Sequence, residues 1–248
     1  QQDGSRNIYG AVMEPILSAQ GIVAGYRERK VLHKVSLDML PGESVLLIGP
    51  NGCGKTTLLK VLAGVLRPEQ GRVLLKGTDI SRVFDDRRAL LGFGYLMQTQ
   101  SIFPSLTVDE NLHLSFWHRN GNFKDQREYI LSAFPMLKPM LARRAGVLSG
   151  GERQALAIGM VLMRDVDVLL LDEPTAGLSP KAAATILQAV HDVKVKMALS
   201  TVIVEHNLRL VHEWVSRVLV MNQGRIVAEE RDPSVLLDHE RLQEYYFG

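Results

Sequence analysis

A glycine-rich stretch in the first quarter of the chain has the residue types and spacing needed to hold a phosphate group. It comprises Gly49, Pro50, Asn51, Gly52, Cys53, Gly54, Lys55, Thr56 and Thr57. Glycines let the backbone curl tightly, so that successive N–H groups and a helix N-terminus converge on phosphate oxygens. In this pattern, the P-loop, we expect Lys55 to reach the β- and γ-phosphates of a nucleotide and the Thr56 hydroxyl to ligate Mg²⁺.

The flanking residues decide between a P-loop and a glycine-rich turn with a chance lysine. An apolar run at 45–48 precedes the stretch and predicts a strand buried on both faces. Leucines at helical spacing follow it, at positions 58, 59, 62 and 66. A strand before the loop and a helix after it are the context that the motif requires.

Two adjacent carboxylates, Asp172 and Glu173, follow a second predicted buried strand at 168–171. Open α/β sheets bind ligands at the carboxyl ends of their strands. We expect Asp172 to hold Mg²⁺, usually through water, and Glu173 to polarise an attacking water molecule. The alternative is an exposed acidic pair in the turn before Pro174.

The residues Ser149, Gly150, Gly151 and Glu152 form a capping-box pattern, whose simplest interpretation is the start of a helix. Such a start also presents backbone N–H groups at the positive end of a helix, which suits phosphate binding. One nucleotide does not need two such ends in one subunit. We therefore expect this end to serve the nucleotide of a second copy.

Two further side chains gain a functional interpretation from the P-loop. Tyr26 lies in a loop upstream of it, where an aromatic ring could stack on adenine, worth ~1–3 kcal/mol per base. His206 follows the apolar strand predicted at 201–204 and could contact the γ-phosphate. The alternatives are packing or surface exposure for Tyr26 and a structural role for His206.

Composition limits the protein classes that remain. The 248 residues carry 29 lysines and arginines against 27 acidic residues, a net charge of +2, which is too balanced to argue for a nucleic-acid partner. The single cysteine fits a reducing compartment. No apolar run approaches the ~18 residues that span a bilayer, and no signal sequence opens the chain. We expect a soluble intracellular protein.

Periodicity predicts an α/β chain with a helical insertion. Short β-type segments begin at Ile16, and helical patterns dominate residues 99–165. Strand patterns resume at 168–171 and 202–204, and a strand pair is expected around the turn at 222–224. Residues 1–15 show no period and are interpreted as a flexible lead.

Together these residues resemble the ATP-binding subunit of ABC transporters. In family terms they are an adenine-stacking aromatic, a Walker A motif, a Q-loop glutamine, a signature, a Walker B motif with its glutamate, and a switch histidine. In this chain the corresponding residues are Tyr26, Gly49–Thr57, Gln98, Leu148–Glu152, Val168–Glu173 and His206.

The resemblance implies an α/β P-loop NTPase core of RecA-like type, with an antiparallel β subdomain and a helical insertion. The core would span 16–98 and 166–248, and the helical signature subdomain 99–165. Gln98 would bind Mg²⁺ and the nucleophilic water. Two subunits would pack head to tail around two ATP molecules, so that Ser149, Gly150 and Gly151 of one contact the γ-phosphate bound by the other. The helical part would dock on a transmembrane permease subunit.

Four stretches resemble one subgroup, the importers of branched-chain amino acids, short amides and urea: residues 102–108, 176–180, 204–208 and 245–248. This resemblance implies hydrolysis of ATP to drive import, on the inner face of the cell membrane, with a periplasmic or extracellular solute-binding protein as an indirect partner. An exporter of lipid or lipopolysaccharide is the alternative within the family.

Other functional classes fit the chain less well. ABC ATPases of DNA repair carry a long coiled-coil insertion, and those of translation usually carry two cassettes in one chain. A module that senses ATP without hydrolysis would not need Glu173 and His206. A plain kinase or GTPase has no use for the signature.

Three positions depart from the family pattern. Ser179 stands where many relatives carry an aspartate, and it would instead cap a helix that starts at Pro180. Met160 stands where an arginine is common, so an internal salt bridge is expected to be missing. Cys53 lies inside the P-loop, and the nearby Lys55 and helix N-terminus are expected to lower the pKa of its thiol.

Overall fold

The structure, a computed structural model, describes residues 13–97, 101–116 and 121–247. Its strands are β1 Leu17–Tyr26, β2 Arg29–Met39, β3 Ser44–Ile48, β4 Gln70–Leu75, β5 Thr78–Asp79, β6 Phe93–Leu96, β7 Val168–Asp172, β8 Ser200–Val204, β9 Arg217–Asn222 and β10 Arg225–Glu230. Its α-helices are α1 Lys55–Ala63, α2 Asp85–Leu90, α3 Val108–Ser115, α4 Phe123–Ala133, α5 Gly150–Leu162, α6 Pro180–Met197 and α7 His239–Phe247. Short 3₁₀ helices occur at Pro135–Met140, Ala145–Val147, Leu208–Leu210 and Pro233–Leu237.

A six-stranded sheet forms the centre of the molecule, in the order β10-β9-β3-β8-β7-β6. All neighbouring pairs are parallel except β10 with β9. In the register of the sheet, Val204 of β8 is paired with Leu47 of β3 and with Asp172 of β7. The three central strands therefore end at the same level.

Both faces of these central strands are buried, which explains their continuous apolar sequence. In β3, Leu46 and Ile48 contribute to one hydrophobic core, while Val45 and Leu47 contribute to a second core on the opposite face. The first core contains α5 and α6, and the second contains α1 and the inner face of the other sheet. Each buried Val, Leu or Ile contributes roughly 1.5–3 kcal/mol.

The other sheet has four antiparallel strands, in the order β2-β1-β4-β5. In β2, Val35, Leu37 and Met39 are buried while Ser36 and Asp38 are exposed, as the alternating sequence predicts. The fold class is confirmed: an α/β core of P-loop type, an antiparallel β sheet and a helical segment.

Three α-helices, α3 to α5, lie in the described part of residues 99–165, with a single β-bridge between Thr107 and Arg144. Thr107 caps α3 in a capping box with Glu110. The Gln126 amide donates to the carbonyl of Leu162 at the end of α5, over 2.7 Å. The helical character of the segment agrees with its sequence, whereas the subdomain boundaries stay predictions. Across the described ranges, no helix combines the length and apolar character needed to cross a bilayer.

Arg88 of α2 is fully buried, and sequence reasoning did not single it out. Its guanidinium donates to four backbone carbonyls: Val61 at 2.8 Å, Leu62 at 2.5 Å, Ile80 at 2.7 Å and Val83 at 3.0 Å. Two of these belong to the last turn of α1, where a cation also complements the helix dipole. Burial lowers the pKa of Arg88 to about 10, so the group remains charged at neutral pH.

We predict that Arg88→Met lowers the free energy of unfolding on the order of 3 kcal/mol, because four backbone carbonyls each lose a hydrogen bond from the guanidinium. For a domain of this size that corresponds to a fall in Tm of roughly 10 °C. Arg87→Met is the matched control, since Arg87 is its exposed neighbour in the same helix. Equal Tm values for the two variants, measured by thermal unfolding, would contradict the role given to Arg88.

Candidate functional site

A cleft of about 840 Å³ opens at the carboxyl edge of the central sheet. This lies within the range of ~300–1,000 Å³ that small-molecule sites occupy. The loops after β3, β7 and β8 meet there, because these three strands end at the same level of the sheet. The residues that line the cleft are Tyr26, Arg29, Val31, Asn51, Gly52, Gly54, Lys55, Thr56, Thr57, Glu173 and His206.

The glycine-rich loop after β3 is held against the turn between β9 and β10. Gly49 has a φ of 143°, and a Cβ atom there would stand 1.9 Å from the carbonyl oxygen of Met221. The N–H of Gly224 donates to the Cys53 carbonyl over 2.8 Å. Only glycine fits at position 49, because both the backbone conformation and the available space exclude a side chain.

The loop leads directly into the N-terminus of α1. Gly54 is the N-cap, with a φ of 113° and no side-chain cap, and the first helical hydrogen bond runs from the N–H of Leu58 to its carbonyl. The N–H groups of the first turn therefore have no partner within the helix. With the helix dipole they form a site suited to an anion at the cleft.

Lys55 is 7% exposed and lies at the base of this loop. Its ammonium donates to the carbonyls of Gly49, over 2.7 Å, and Pro50, over 3.0 Å. Because an ammonium has three N–H donors, these two contacts orient the side chain and leave one donor for a phosphate oxygen. The contact of Lys55 with the β- and γ-phosphates stays a prediction.

Asp172 ends β7 directly beside the P-loop helix. Its Oδ1 accepts a hydrogen bond from Thr56 Oγ1 over 3.1 Å, and its Oδ2 lies 3.5 Å from the Tyr95 hydroxyl. Burial raises the pKa of Asp172, and the neighbouring Glu173 carboxylate raises it further. Tyr95 was not anticipated, because nothing in its sequence distinguishes it from an ordinary aromatic in a strand.

The oxygens of Thr56 and Asp172 suit Mg²⁺, which prefers hard oxygen ligands. Among the described residues, no group of three or more His, Cys, Asp or Glu side chains could hold a metal by itself. Mg²⁺ usually keeps several waters and binds through one or two protein oxygens together with substrate phosphates. Gln98, the third expected ligand, lies outside the described residues, and its role stays a prediction.

Glu173 and His206 meet across the cleft, with 3.1 Å between Glu173 Oε1 and His206 Nε2. Glu173 has a φ of 52°, an uncommon conformation for a residue with a side chain, and such strain tends to accumulate at functional sites. Its N–H donates to the Val204 carbonyl over 3.0 Å, which ties the loop after β7 to the end of β8. The structure thus brings together the group predicted to polarise the attacking water, Glu173, and the group predicted to contact the γ-phosphate, His206.

The far end of the cleft is formed by Tyr26, which is 44% exposed. The ammonium of Lys60 lies 5.7 Å from the centroid of its ring. An exposed ring in this place can stack on a base. Arg29 also lines the cleft.

Cys53 overturns one expectation. Its side chain is 6% exposed, and burial raises the pKa of its thiol, an effect that outweighs the lowering by Lys55 and by backbone N–H donors. The expectation of a lowered pKa was wrong, because the loop folds the sulfur inward against the hydrophobic core that contains α1.

Ser149, Gly150 and Gly151 do not line this cleft. Ser149 caps α5, and Glu152 accepts hydrogen bonds from the Ser149 N–H and hydroxyl, each over 2.8 Å. These bonds lower the pKa of Glu152. The N–H groups of Gly150 and Gly151 lie at the exposed start of the helix, next to the loop that leads into α6.

The structure shows the surroundings of Ser179 and Met160, two of the positions that depart from the family pattern. Ser179 is the N-cap of α6, and its hydroxyl accepts from the N–H of Ala182 over 3.3 Å, as expected for a serine before Pro180. Met160 is buried in the core on the α5 side of the sheet. An apolar side chain is therefore compatible with that position.

A P-loop at the carboxyl edge of a mostly parallel sheet, with an aspartate on the next-but-one strand, defines a P-loop nucleotide hydrolase. The family follows from comparison with known proteins: residues 32–176 match the ABC transporter family, and this chain belongs to it. It is accordingly an ATPase of the ABC type, and its nucleotide is ATP.

Individual relatives are also ATP-binding proteins of transport systems. The chain is 38% identical to the probable branched-chain amino acid transport ATP-binding protein LivF of Archaeoglobus fulgidus, covering 91% of this chain and 95% of the relative. It is 34% identical to the lipopolysaccharide export system ATP-binding protein LptB of Haemophilus influenzae, covering 94% and 97%. Among solved structures, the ADP conformation of an ABC transporter cassette matches with a TM-score of 0.79 at 31% identity, covering 95% of this chain and all of that one.

We predict that Cys53 reacts slowly with maleimide at pH 7.5, at least about 10-fold slower than in the urea-unfolded chain, because its thiol is buried and its pKa is raised. The rate should keep rising to a higher pH than in the unfolded chain, since the raised pKa moves formation of the reactive thiolate upward. ATP should slow labelling further by covering the loop.

Labelling can be assigned without a cysteine-free background, since Cys53 is the only cysteine of the chain. The rate is measured by mass spectrometry, with Cys53→Ser as the unreactive control. A rate that levels off below pH 8.5 would show a lowered pKa and would contradict the role of burial.

Proposed function

We propose that this chain powers the import of small polar solutes, branched-chain amino acids or related amides and urea, by hydrolysing ATP at the cleft. The observation that carries the catalytic part is the convergence of the P-loop, Asp172, Glu173 and His206 at one sheet edge. The likeness to LivF and the subgroup stretches support the direction of transport and the type of cargo.

In this proposal Glu173 accepts a hydrogen bond from the attacking water and aligns it with the γ-phosphate. Lys55 donates to the phosphate oxygens. His206, whose Nε2 lies 3.1 Å from Glu173 Oε1, contacts the γ-phosphate. Mg²⁺, held by Thr56, Asp172 and Gln98, would neutralise phosphate charge during in-line displacement.

The site is shared between two copies of the chain or between this chain and a similar ATP-binding subunit. The start of α5 supports this arrangement, because Ser149, Gly150 and Gly151 present phosphate-binding groups away from the cleft of their own subunit. In a head-to-tail pair these groups would contact the γ-phosphate bound by the partner. The pair would work on the cytoplasmic face of the membrane, attached to permease subunits that receive cargo from a solute-binding protein.

Export of lipopolysaccharide or another lipid is the second candidate, favoured by the 34% identity with LptB over nearly the whole chain. The cassette does not contact the cargo in either proposal. The identity of the membrane partner therefore separates them.

We predict that Glu173→Gln lowers kcat for ATP hydrolysis by ~10²–10⁴-fold, because the amide cannot accept the proton of the attacking water. The affinity for ATP should stay within about threefold, since the P-loop and Tyr26 are untouched. Glu213→Gln removes one acidic charge from an 83% exposed side chain and is the matched control. Turnover of Glu173→Gln within a few-fold of wild type would exclude Glu173 as the catalytic base.

Transport itself can be tested on the complex isolated from detergent-solubilised membranes of the source cells with a tagged form of this chain. The permease subunits that co-purify are identified and the complex is reconstituted in proteoliposomes. ATP-dependent uptake of labelled leucine, amide or urea, lost in Glu173→Gln, is the expected result. A lipid-extracting partner without solute uptake would contradict import and favour export.

A further inference from the structure

Glu205 is a buried acidic residue that the reaction described above does not use. It lies between the end of β8 and His206, and its side chain is 4% exposed. One carboxylate oxygen, Oε1, accepts three hydrogen bonds: from Thr175 Oγ1 over 2.7 Å, from the N–H of His206 over 3.0 Å and from the N–H of Asn207 over 3.3 Å. Burying a carboxylate is costly unless such donors compensate it, so its place in the core calls for a reason.

The three donors belong to the two loops that carry the reacting groups. Thr175 lies in the loop that begins with Glu173, and the other two N–H groups belong to the loop that carries His206. The carboxylate of Glu205 therefore links the loop after β7 to the loop after β8. These loops meet again at the 3.1 Å contact between Glu173 and His206.

His206 needs this support, because its side chain is 45% exposed and lies in a loop rather than in a regular element. The hydrogen bond from its own N–H to Glu205 Oε1 fixes the backbone from which the imidazole projects. A displacement of about 1 Å in such a group can cost on the order of 10²-fold in rate. Loss of the Glu205 contacts can thus lower the rate of the catalytic step by displacing His206.

The two carboxylate oxygens are used unequally. Oε1 takes all three hydrogen bonds, whereas Oε2 is buried and has no hydrogen-bond partner among the described residues. A cavity of about 230 Å³ adjoins the residue, lined in part by Thr175, Glu205, His206 and Asn207. Glutamine, whose amide oxygen can replace Oε1, is therefore a conservative substitute that keeps the three acceptor contacts.

We propose that Glu205 is a positioning residue for ATP hydrolysis, which holds His206 in reach of Glu173 and the γ-phosphate by joining their two loops. The proposal rests on the role given to His206 under the proposed function. Thr175 is part of the same link, because its hydroxyl is the only donor to Glu205 from the β7 side among the described residues.

The first test separates kcat from KM in steady-state ATP hydrolysis by the full chain. Glu205→Ala should lower kcat at least about 10-fold and leave KM for ATP within about threefold, since the P-loop and Tyr26 do not contact Glu205. Glu205→Gln should retain kcat within about threefold of wild type. An equal loss in the two variants, or a loss confined to KM, would overturn the proposal.

The matched pair at Thr175 tests the same link without touching a charge. Thr175→Val removes the hydroxyl at nearly constant volume and should lower kcat severalfold, whereas Thr175→Ser keeps the hydroxyl and should not. If Glu205→Ala does not fold, this pair of Thr175 variants still tests whether the link between the two loops affects kcat. Identical kcat values for the two Thr175 variants would overturn the link.

A double-mutant cycle with His206→Ala distinguishes a failure here from a failure of the proposed function. If Glu205 acts through His206, Glu205→Ala should change kcat less than about twofold in the His206→Ala background. A full additive loss would mean that Glu205 acts elsewhere and would overturn the proposal. Wild-type kcat in His206→Ala alone would refute the role of His206, and the inference with it. Loss in His206→Ala with wild-type kcat in Glu205→Ala would refute the inference alone.

Discussion

The equal length of the central parallel strands is the constraint on which the candidate site depends. Val204 pairs with both Leu47 and Asp172, so β3, β8 and β7 deliver their following loops at one level. Both faces of the sheet are buried, and sliding any of these strands by one residue would exchange its side chains between the two cores, so that neither core would keep its packing. The register that buries the core is therefore the register that aligns the phosphate loop with the carboxylates and His206.

Around that edge, neighbouring elements limit how far each loop can move. The Met221 carbonyl of β9 leaves no room for a side chain at Gly49, and the N–H of Gly224 in the next turn donates to the P-loop at Cys53. Arg88 donates to carbonyls at the far end of the helix that follows the P-loop. Glu205 performs the corresponding task between the loops after β7 and β8. These contacts are made by polar groups inside the protein, where an unmade hydrogen bond is costly and geometry is correspondingly well defined.

The sequence was sufficient for the fold class and for most residues of the cleft, since P-loop chemistry requires particular residues in a short segment. The buried strands, the strand pair at 217–230 and the capping of α3, α5 and α6 follow the same local rules. Arg88 and Tyr95 could not be found in this way, because some of their partners are distant in sequence: Val61 and Leu62 for Arg88, and Asp172 for Tyr95. Arg29 could not be found either, since only the folded chain places it at the cleft. The pKa of Cys53 was misjudged for a related reason: local charge is visible in the sequence, whereas burial is a property of the folded chain.

The reciprocal capping of Ser149 and Glu152 has a consequence for how two subunits would associate. Both residues are already locked in their hydrogen-bonded rotamers in the single chain. Little side-chain entropy then remains to be lost at this helix end when a phosphate arrives. When a pair of subunits closes over ATP, this helix end would already be ordered. The free-energy cost of binding the phosphate there would be mainly the removal of water from exposed N–H groups.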